Sequence, residues 1–330
     1  METVEGADLC APQLLNTSCK KPKQPPTEAM VIYTVPSFIS VLTVLLNLLV
    51  IIAISHFRQL HSLTNLLLLS LAGSDLLVGL LLMAVEIIYI EACWFLGDLV
   101  CTLYYVLDYL IASASVANMV LISLDRFVAI CDPVKYHLRV TQRRVQLAVI
   151  VCWICCIFYF ALLLHDHLLH PGKSNTCFGQ CVVVIDHIAG IVDLVITFII
   201  PISVIVVLYL RVFVVAVIQV RAICSHVMAA KLQHSRNVFA KKSELKAAWT
   251  LGIVVIVFLI CFCPYHIPAF AGQDTAIDAS SAAFEIWLAH FNSYLNPIIY
   301  VFCYPWFRKS VKLIATLQIL KPDSRYAKVL

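Results

Sequence analysis

Seven apolar runs, near 31–55, 64–90, 98–131, 146–169, 182–212, 247–271 and 281–303, alternate with polar segments along the chain. A helix needs roughly twenty residues to cross about 30 Å of hydrocarbon, so the pattern predicts seven membrane-spanning helices in an all-α bundle. The few polar residues inside the runs carry the next layer of information. In the third run Asp108 and Arg126 stand eighteen positions apart, with Ser115 seven after Asp108. At about 100° per residue all three share one helix face. A charge at the centre of hydrocarbon costs roughly 2.5 to 3.5 kcal/mol on insertion scales, so that face turns toward other helices or water and is a candidate for function. Asn47 in the first run and Asp75 in the second are lone polar residues among leucines. One interhelical hydrogen bond suits Asn47; the carboxyl of Asp75 needs more than one partner.

Composition fits a lipid-embedded chain. Of 330 residues 62% are hydrophobic and 13% charged, against about a quarter charged in a soluble domain. No charged, Gly/Ser-rich or low-complexity stretch divides the chain, which reads as a tail over 1–30, one seven-helix domain over 31–304 and a final segment over 305–330. Lys20, Lys21, Lys23 and Lys173 lie on the side of the N-terminus, and the other nineteen of the twenty-three basic residues lie on the opposite side or at its helix ends. Basic residues favour the cytoplasm, so the N-terminus is expected outside. The opening METVEGADLC lacks a basic-then-apolar signal pattern, leaving the first run to target the chain. The net charge of +4 is thus a topology signal, and scattered basic loops without an aromatic platform exclude nucleic-acid binding. Nothing resembles HExxH, a Gly-rich phosphate loop or a Ser/His/Asp set, so an enzyme is not expected. A transporter would show inverted repeats and interrupted helices.

The fourteen cysteines sort by depth. Cys131, Cys152, Cys155, Cys156, Cys224, Cys261, Cys263 and Cys303 read as small buried hydrophobes. Cys10, Cys19, Cys101, Cys177 and Cys181 lie on the outer, oxidising side, where disulfides persist, and Cys93 borders that side and fits either group. Asn16-Thr17-Ser18 in the tail is an N-glycosylation acceptor.

The third run closes with Leu124-Asp125-Arg126-Phe127-Val128-Ala129-Ile130-Cys131-Asp132-Pro133. This resembles the D-R-Y motif of rhodopsin-like G-protein-coupled receptors, with Phe127 in place of Tyr. The likeness continues through Asn47, Leu71-Ala72-x-x-Asp75, Cys101, Trp153, Pro201 with Tyr209, Cys261-Phe262-Cys263-Pro264, and Asn296-Pro297-x-x-Tyr300. Within that superfamily, Asn292-Ser293-x-x-Asn296-Pro297-x-x-Tyr300-x-x-x-Tyr304-x-Trp306-Phe307 is similar to the signature of the trace amine-associated receptors, as are the segment from Lys246 and the outer cysteine set. The resemblance implies disulfides Cys101–Cys181 and Cys19–Cys177, the second holding the tail across a pocket mouth, with Cys10 left over. It also implies a cationic amine ligand, a stimulatory G protein raising cyclic AMP, a plasma-membrane location and expression in olfactory neurons.

Asp108 lies two helical turns below Cys101, and the family's amine-binding aspartate occupies the matching position. In the fifth run Asp193 stands eight residues before Pro201, with Thr197 one turn further in and Asp186 two turns further out. A carboxylate at Asp193 resembles the subset of amine receptors that recognises dications. Two facing carboxylates repel and are costly to keep ionised when desolvated, whereas a diamine satisfies both. With hydrogen bonds of about 2.8 Å at each end, roughly four to six carbons bridge a gap on the order of 10 Å, which favours cadaverine- or putrescine-like ligands and polyamines. The alternative is a serotonin- or adrenergic-like monoamine receptor, with ligand hydroxyls meeting Thr197 and Asp193. Tyr104, Tyr109, Phe262, Tyr265 and Trp287 are candidate apolar and cation-favouring walls. His290 stands where amine receptors commonly have Tyr and opsins have the retinal-binding Lys; a histidine there either hydrogen-bonds Asp108 or, protonated, competes with the ligand.

Asp75, Ser115, Asn292, Ser293 and Asn296 resemble the superfamily's sodium pocket, the alternative being a hydrogen-bonded water network; no other cofactor is expected. For activation the resemblance implies Asp125 holding Arg126, Glu244 as a competing acid at the base of the sixth helix, and Tyr209, Asn296, Pro297 and Tyr300 rearranging as that helix moves. Pro201, Pro264 and Pro297 each remove a helix hydrogen bond and supply kinks. Phe262 replaces the usual Trp. Trp306, Phe307, Val311 and Ile314 oppose Arg308, Lys309 and Lys312, which reads as an interfacial amphipathic helix on the bilayer, with a disordered tail beyond about Leu320.

Overall fold

The computed structural model describes residues 8–10, 18–21, 26–91, 93–229, 252–266 and 279–329. Each predicted run contains helix. The first is α1 (Pro26–His56). The second is α2 (Leu63–Leu77), a π-helical turn over Val78–Leu82, and α3 (Met83–Glu91). The third is the single helix α4 (Asp98–Cys131), followed by the short α5 (Pro133–Arg139). The fourth is α6 (Gln142–Leu163), with α7 (His165–Leu169) beyond it. The fifth is α8 (His187–Asp193), a second π turn over Leu194–Ile199, and α9 (Ile200–Ala229). The sixth is described over α10 (Gly252–His266), and the seventh is α11 (Ala279–Cys303), with α12 (Pro305–Ala315) after it.

Local chemistry sets several ends. The Ser62 hydroxyl accepts the Asn65 amide at 3.2 Å to cap α2, and Asp186 caps α8 by accepting from the Ile188 amide; both satisfy donors that a helix start leaves over. Arg308 donates to the carbonyls of Val301 and Phe302, each at 2.9 Å, and so closes the last turn of α11.

Helix α4 packs against α2, α6 and α9 and is the hub of the bundle. Its buried residues include Ile111, Val116, Met119 and Ile122, while Leu99, Leu103, Leu107 and Leu124 are exposed. Many other large apolar side chains stand on the outer surface, among them Phe38, Ile154, Phe158 and Ile260. Helices apolar on their outward faces suit lipid as solvent, since a water-soluble bundle exposes charge there. Cys155 and Cys263, expected to be buried, are on that outer surface, because the helix phase of each points away from its neighbours. Asn47 donates to the carbonyls of Thr43 and Ser293 at 2.9 and 3.0 Å, joining the first and seventh spans.

At the end carrying the tail, strands β1 (Asp8–Leu9) and β2 (Lys20–Lys21) pair antiparallel. Three disulfides gather there: Cys101–Cys181 and Cys19–Cys177, as the family resemblance implies, and Cys10–Cys93, which pairs the two cysteines the sequence left unassigned. Gly179 lies at φ +93°, and a Cβ on it would meet the Cys10 Cβ at 2.8 Å, so only glycine fits beneath the Cys10–Cys93 bridge. At the other end α12 buries Trp306, Phe307 and Ser310 against the bundle. The chain beyond Leu320, expected to be disordered, folds back instead: the His56 ring bonds Ser324 at 2.9 Å, Arg58 lies over the Tyr326 ring, and Val329 is buried.

Candidate functional site

A cavity opens among the second, third, fifth, sixth and seventh spans. Asp108 and Asp193 both line it, from α4 and from the end of α8. Val78, Leu82, Ala112, Val116, Phe262, Ile286 and Ala289 make most of its wall apolar, and Ser113, Ser115, Asn292 and Ser293 line it too. Tyr109, Thr197, Tyr265 and His290 also line it. Tyr104 and Trp287 do not. They pack in a layer with Val78, Leu82, Met83 and Ile111 beside the cavity, because their helix phase faces the second span rather than the opening.

Each acid has a partner. Asp193 accepts a hydrogen bond from the Tyr159 hydroxyl at 3.1 Å, and Tyr159 sits edge-on to Phe160, whose ring stacks on Tyr109. Thr197 spends its hydroxyl on the backbone carbonyl of Asp193 at 2.8 Å rather than on the carboxylate. Asp186 is exposed and occupied in capping α8. On the opposite wall His290 Nε2 lies 2.9 Å from Asp108 Oδ1, and its Nδ1 lies 3.0 Å from Glu86 Oε2. All three groups are buried. An ionised carboxylate offers about four acceptor positions, so one bond apiece leaves both Asp108 and Asp193 able to accept from a ligand.

Sequence reasoning missed Glu86, Tyr159 and His266, which lines the cavity against the Phe198 ring at 4.0 Å. Glu86 was findable: it is a lone acid inside an apolar run, the signal that marked Asp75. Tyr159 and His266 gave no comparable signal, since polar aromatics at helix ends are ordinary.

Deeper in the bundle Asp75 accepts from Ser293 at 2.8 Å and from Asn296 at 2.9 Å. Asn296 also donates to Asn292, and Ser115 donates to Ser74 rather than to Asp75. The Asn296 Oδ1 atom has no hydrogen-bond partner among the described residues.

At the far end of α4, Arg126 is paired with Asp125, with Nη2 2.6 Å and Nε 3.1 Å from Oδ2. Thr64 donates to the same oxygen at 2.7 Å and also receives the guanidinium, while Tyr136 of α5 donates to Asp125 Oδ1 at 2.7 Å. Burial and this bond to an acid push the Tyr136 hydroxyl up to about 12, so it stays a donor throughout the physiological range. The Tyr209 and Tyr300 hydroxyls are buried without a partner among the described residues, and Pro297 lies inside α11. Asn16 and Glu244 lie outside the described residues.

Residues 46–300 match the family model of the seven-transmembrane receptors of the rhodopsin family. The chain is 36% identical over 330 residues to trace amine-associated receptor 13c of Danio rerio, covering 97% of this chain and 95% of the relative. It is 36% identical over 327 residues to trace amine-associated receptor 8a of Rattus norvegicus, covering 94% and 93%. Against trace amine-associated receptor 7e of Mus musculus the figures are 35% over 328 residues, 97% and 91%. With its helical bundle, its paired Asp125 and Arg126 and likeness over nearly its whole length, the chain belongs to the rhodopsin-like G-protein-coupled receptors and, within them, to the trace amine-associated receptors.

Proposed function

We propose that this receptor, its tail outside the cell, recognises small aliphatic diamines of the cadaverine or putrescine type between Asp108 and Asp193 and signals through a stimulatory G protein to cyclic AMP. The reading rests on one observation, two buried carboxylates lining a single cavity whose walls are largely apolar. Apolar walls match methylenes, and each acid gives a charge-assisted bond to one ammonium in a site of low dielectric. A monoamine neutralises one acid and leaves the other buried with a single hydrogen bond, which is costly. Three disulfides at the tail end support the orientation, because an oxidising compartment preserves them.

Ligand engagement would bias a two-state bundle. In the state described, Arg126 is held by Asp125 and Thr64, and the buried Tyr209 and Tyr300 hydroxyls have no partner among the described residues, so release of Arg126 toward them is a natural second arrangement. Between the two ends, the carboxylate of Asp75 with the neutral oxygens of Ser115, Asn292, Ser293 and Asn296 is a donor set that fits a hard monovalent cation such as sodium; when bound, the ion would balance the Asp75 charge.

In cells reporting cyclic AMP, Asp108→Ala is expected to remove responses to all amines, whereas Asp193→Ala removes the diamine response selectively. A diamine response that survives Asp193→Ala unchanged contradicts the two-acid site.

A further inference from the structure

We propose that Glu86 and His290 together set the charge of the ligand cavity at two negative charges, and so its match to dications over trications. This rests on the two-acid reading and adds what fixes the charge that the ligand must balance.

The count comes from the hydrogen-bond inventory. His290 lies between the carboxyl groups of Asp108 and Glu86, with one ring nitrogen at hydrogen-bond distance from each. An ionised carboxylate only accepts, and a neutral imidazole carries a single N–H. Two hydrogen bonds therefore need two protons spread over the three groups. Either the ring is doubly protonated between two carboxylates, or a neutral ring faces one carboxylate and one protonated acid. Both arrangements sum to one negative charge, and neither depends on an assigned tautomer.

Across the cavity Asp193, bonded by Tyr159, adds the second negative charge. Among the described residues the remaining titratable groups on the walls are Tyr109 and Tyr265, neutral phenols, and His266, which packs against the rings of Phe198 and Tyr265 and is neutral in that apolar setting. Two negative charges are what a diamine neutralises. Imidazole is more basic than either carboxylate, so the doubly protonated ring between two carboxylates is the arrangement adopted; without it Glu86 and Asp108 would be two uncompensated acids on one wall, the cavity would carry three charges, and a trication would fit it better. Glu86 does not line the cavity; it acts through His290 and is a positioning residue, and its charge reaches the ligand only when the ring is lost.

The test is a potency ratio in cells expressing the full-length receptor, 1,5-diaminopentane against the linear triamine spermidine, both read as cyclic AMP in the same preparation. The wild type is expected to favour the diamine. His290→Asn should move the ratio toward the triamine by about tenfold or more, the effect of one unbalanced charge a few ångströms from the ligand in a protein interior. Adding Glu86→Gln to His290→Asn removes that charge and should return the ratio to within about twofold of the wild type. A purely structural role for Glu86 predicts that the double variant is worse than the single. If His290→Asn does not reach the cell surface, His290→Gln with and without Glu86→Gln carries the same comparison. A ratio unchanged by the loss of His290, or not restored by Glu86→Gln, overturns the charge count while leaving the diamine site standing. A wild type that answers the triamine at least as well as the diamine overturns the count without any variant. A wild type that answers a monoamine as well as the matched diamine sinks both this inference and the site it rests on.

Discussion

Asp125 accepts from Arg126, Thr64 and Tyr136 at once, and on the two-state reading proposed above it is the residue that holds the resting arrangement. A hydrogen bond to a charged group contributes roughly 1.5 to 3 kcal/mol, so removing one donor shifts a two-state balance appreciably. Tyr136→Phe is expected to raise ligand-independent cyclic AMP several-fold at equal surface expression, and an unchanged basal level would exclude Tyr136 from holding the resting state. The pH dependence has a definite sign. A tyrosine raised above its ordinary value of about 10 to about 12 contributes stability that is fully present below the unfolded value and lost as pH climbs through about 12. Between pH 6 and 9 this contact is constant, so alkaline buffer within that window should not mimic Tyr136→Phe in a basal-activity titration. At the same scale, the sequence pointed to Asp108 and Asp193 through spacing and resemblance. It gave no hint that His290 would be shared between two acids, because that contact depends on the second and seventh spans meeting, which no local pattern encodes.

Among the elements, the two π turns decide which side chains reach the cavity. Helical periodicity carried across 78–82 and 194–199 assumes an unbroken 3.6-residue repeat, whereas each π turn widens the helix and re-aims the side chains beyond it. Val78, Leu82 and Thr197, all from these turns, line the cavity. The hydrophobic runs located the helices, the third to the residue, Asp98–Cys131, because burial and lipid contact both select apolar side chains. The turns were illegible since their residues, Val-Gly-Leu-Leu-Leu and Leu-Val-Ile-Thr-Phe-Ile, are as apolar as ordinary helix. The turn in the second span is held by a specific contact: the Ser40 hydroxyl donates to the Gly79 carbonyl at 2.9 Å, satisfying a backbone group that an irregular turn frees in hydrocarbon. A Cβ at Gly79 would meet Val44 at 3.0 Å and Thr43 at 3.1 Å. Gly79→Leu should therefore push α1 away and destabilise the purified receptor by about 1 to 3 kcal/mol, read as a lower melting temperature in detergent; a melting temperature equal to wild type would show that the first span yields without cost.

For the whole molecule, the tail end is bound to the bundle by bridges to the segment just beyond the second span and to the segment after the fourth. The Cys10–Cys93 bond spans 83 residues, and cross-links of this kind typically stabilise by about 2 to 4 kcal/mol. The double replacement Cys10→Ser with Cys93→Ser, which leaves no free thiol of the pair, should lower the melting temperature while preserving Cys19–Cys177 and Cys101–Cys181. An unshifted melt would show the bridge to be dispensable. Depth alone could not make this pairing, for Cys93 stands at the boundary between apolar and outer chain, and only the folded tail brings Cys10 beside it. The return of the last residues onto the turn between the first two spans was likewise beyond a local reading, since Arg58 meets Tyr326 and Gln59 meets Val329 across most of the chain's length. What unites the molecule is a cavity with an acid on each of two walls and an arginine held shut at the far end of the same central helix. The most direct test is the potency of linear diamines of stepped chain length, each against the monoamine of equal length, on the wild-type receptor. A potency maximum at roughly four to six carbons, with each matched monoamine weaker by about tenfold or more, the order expected for one lost charge-assisted bond, is the predicted result; monoamines as potent as their diamine partners at every length would contradict it.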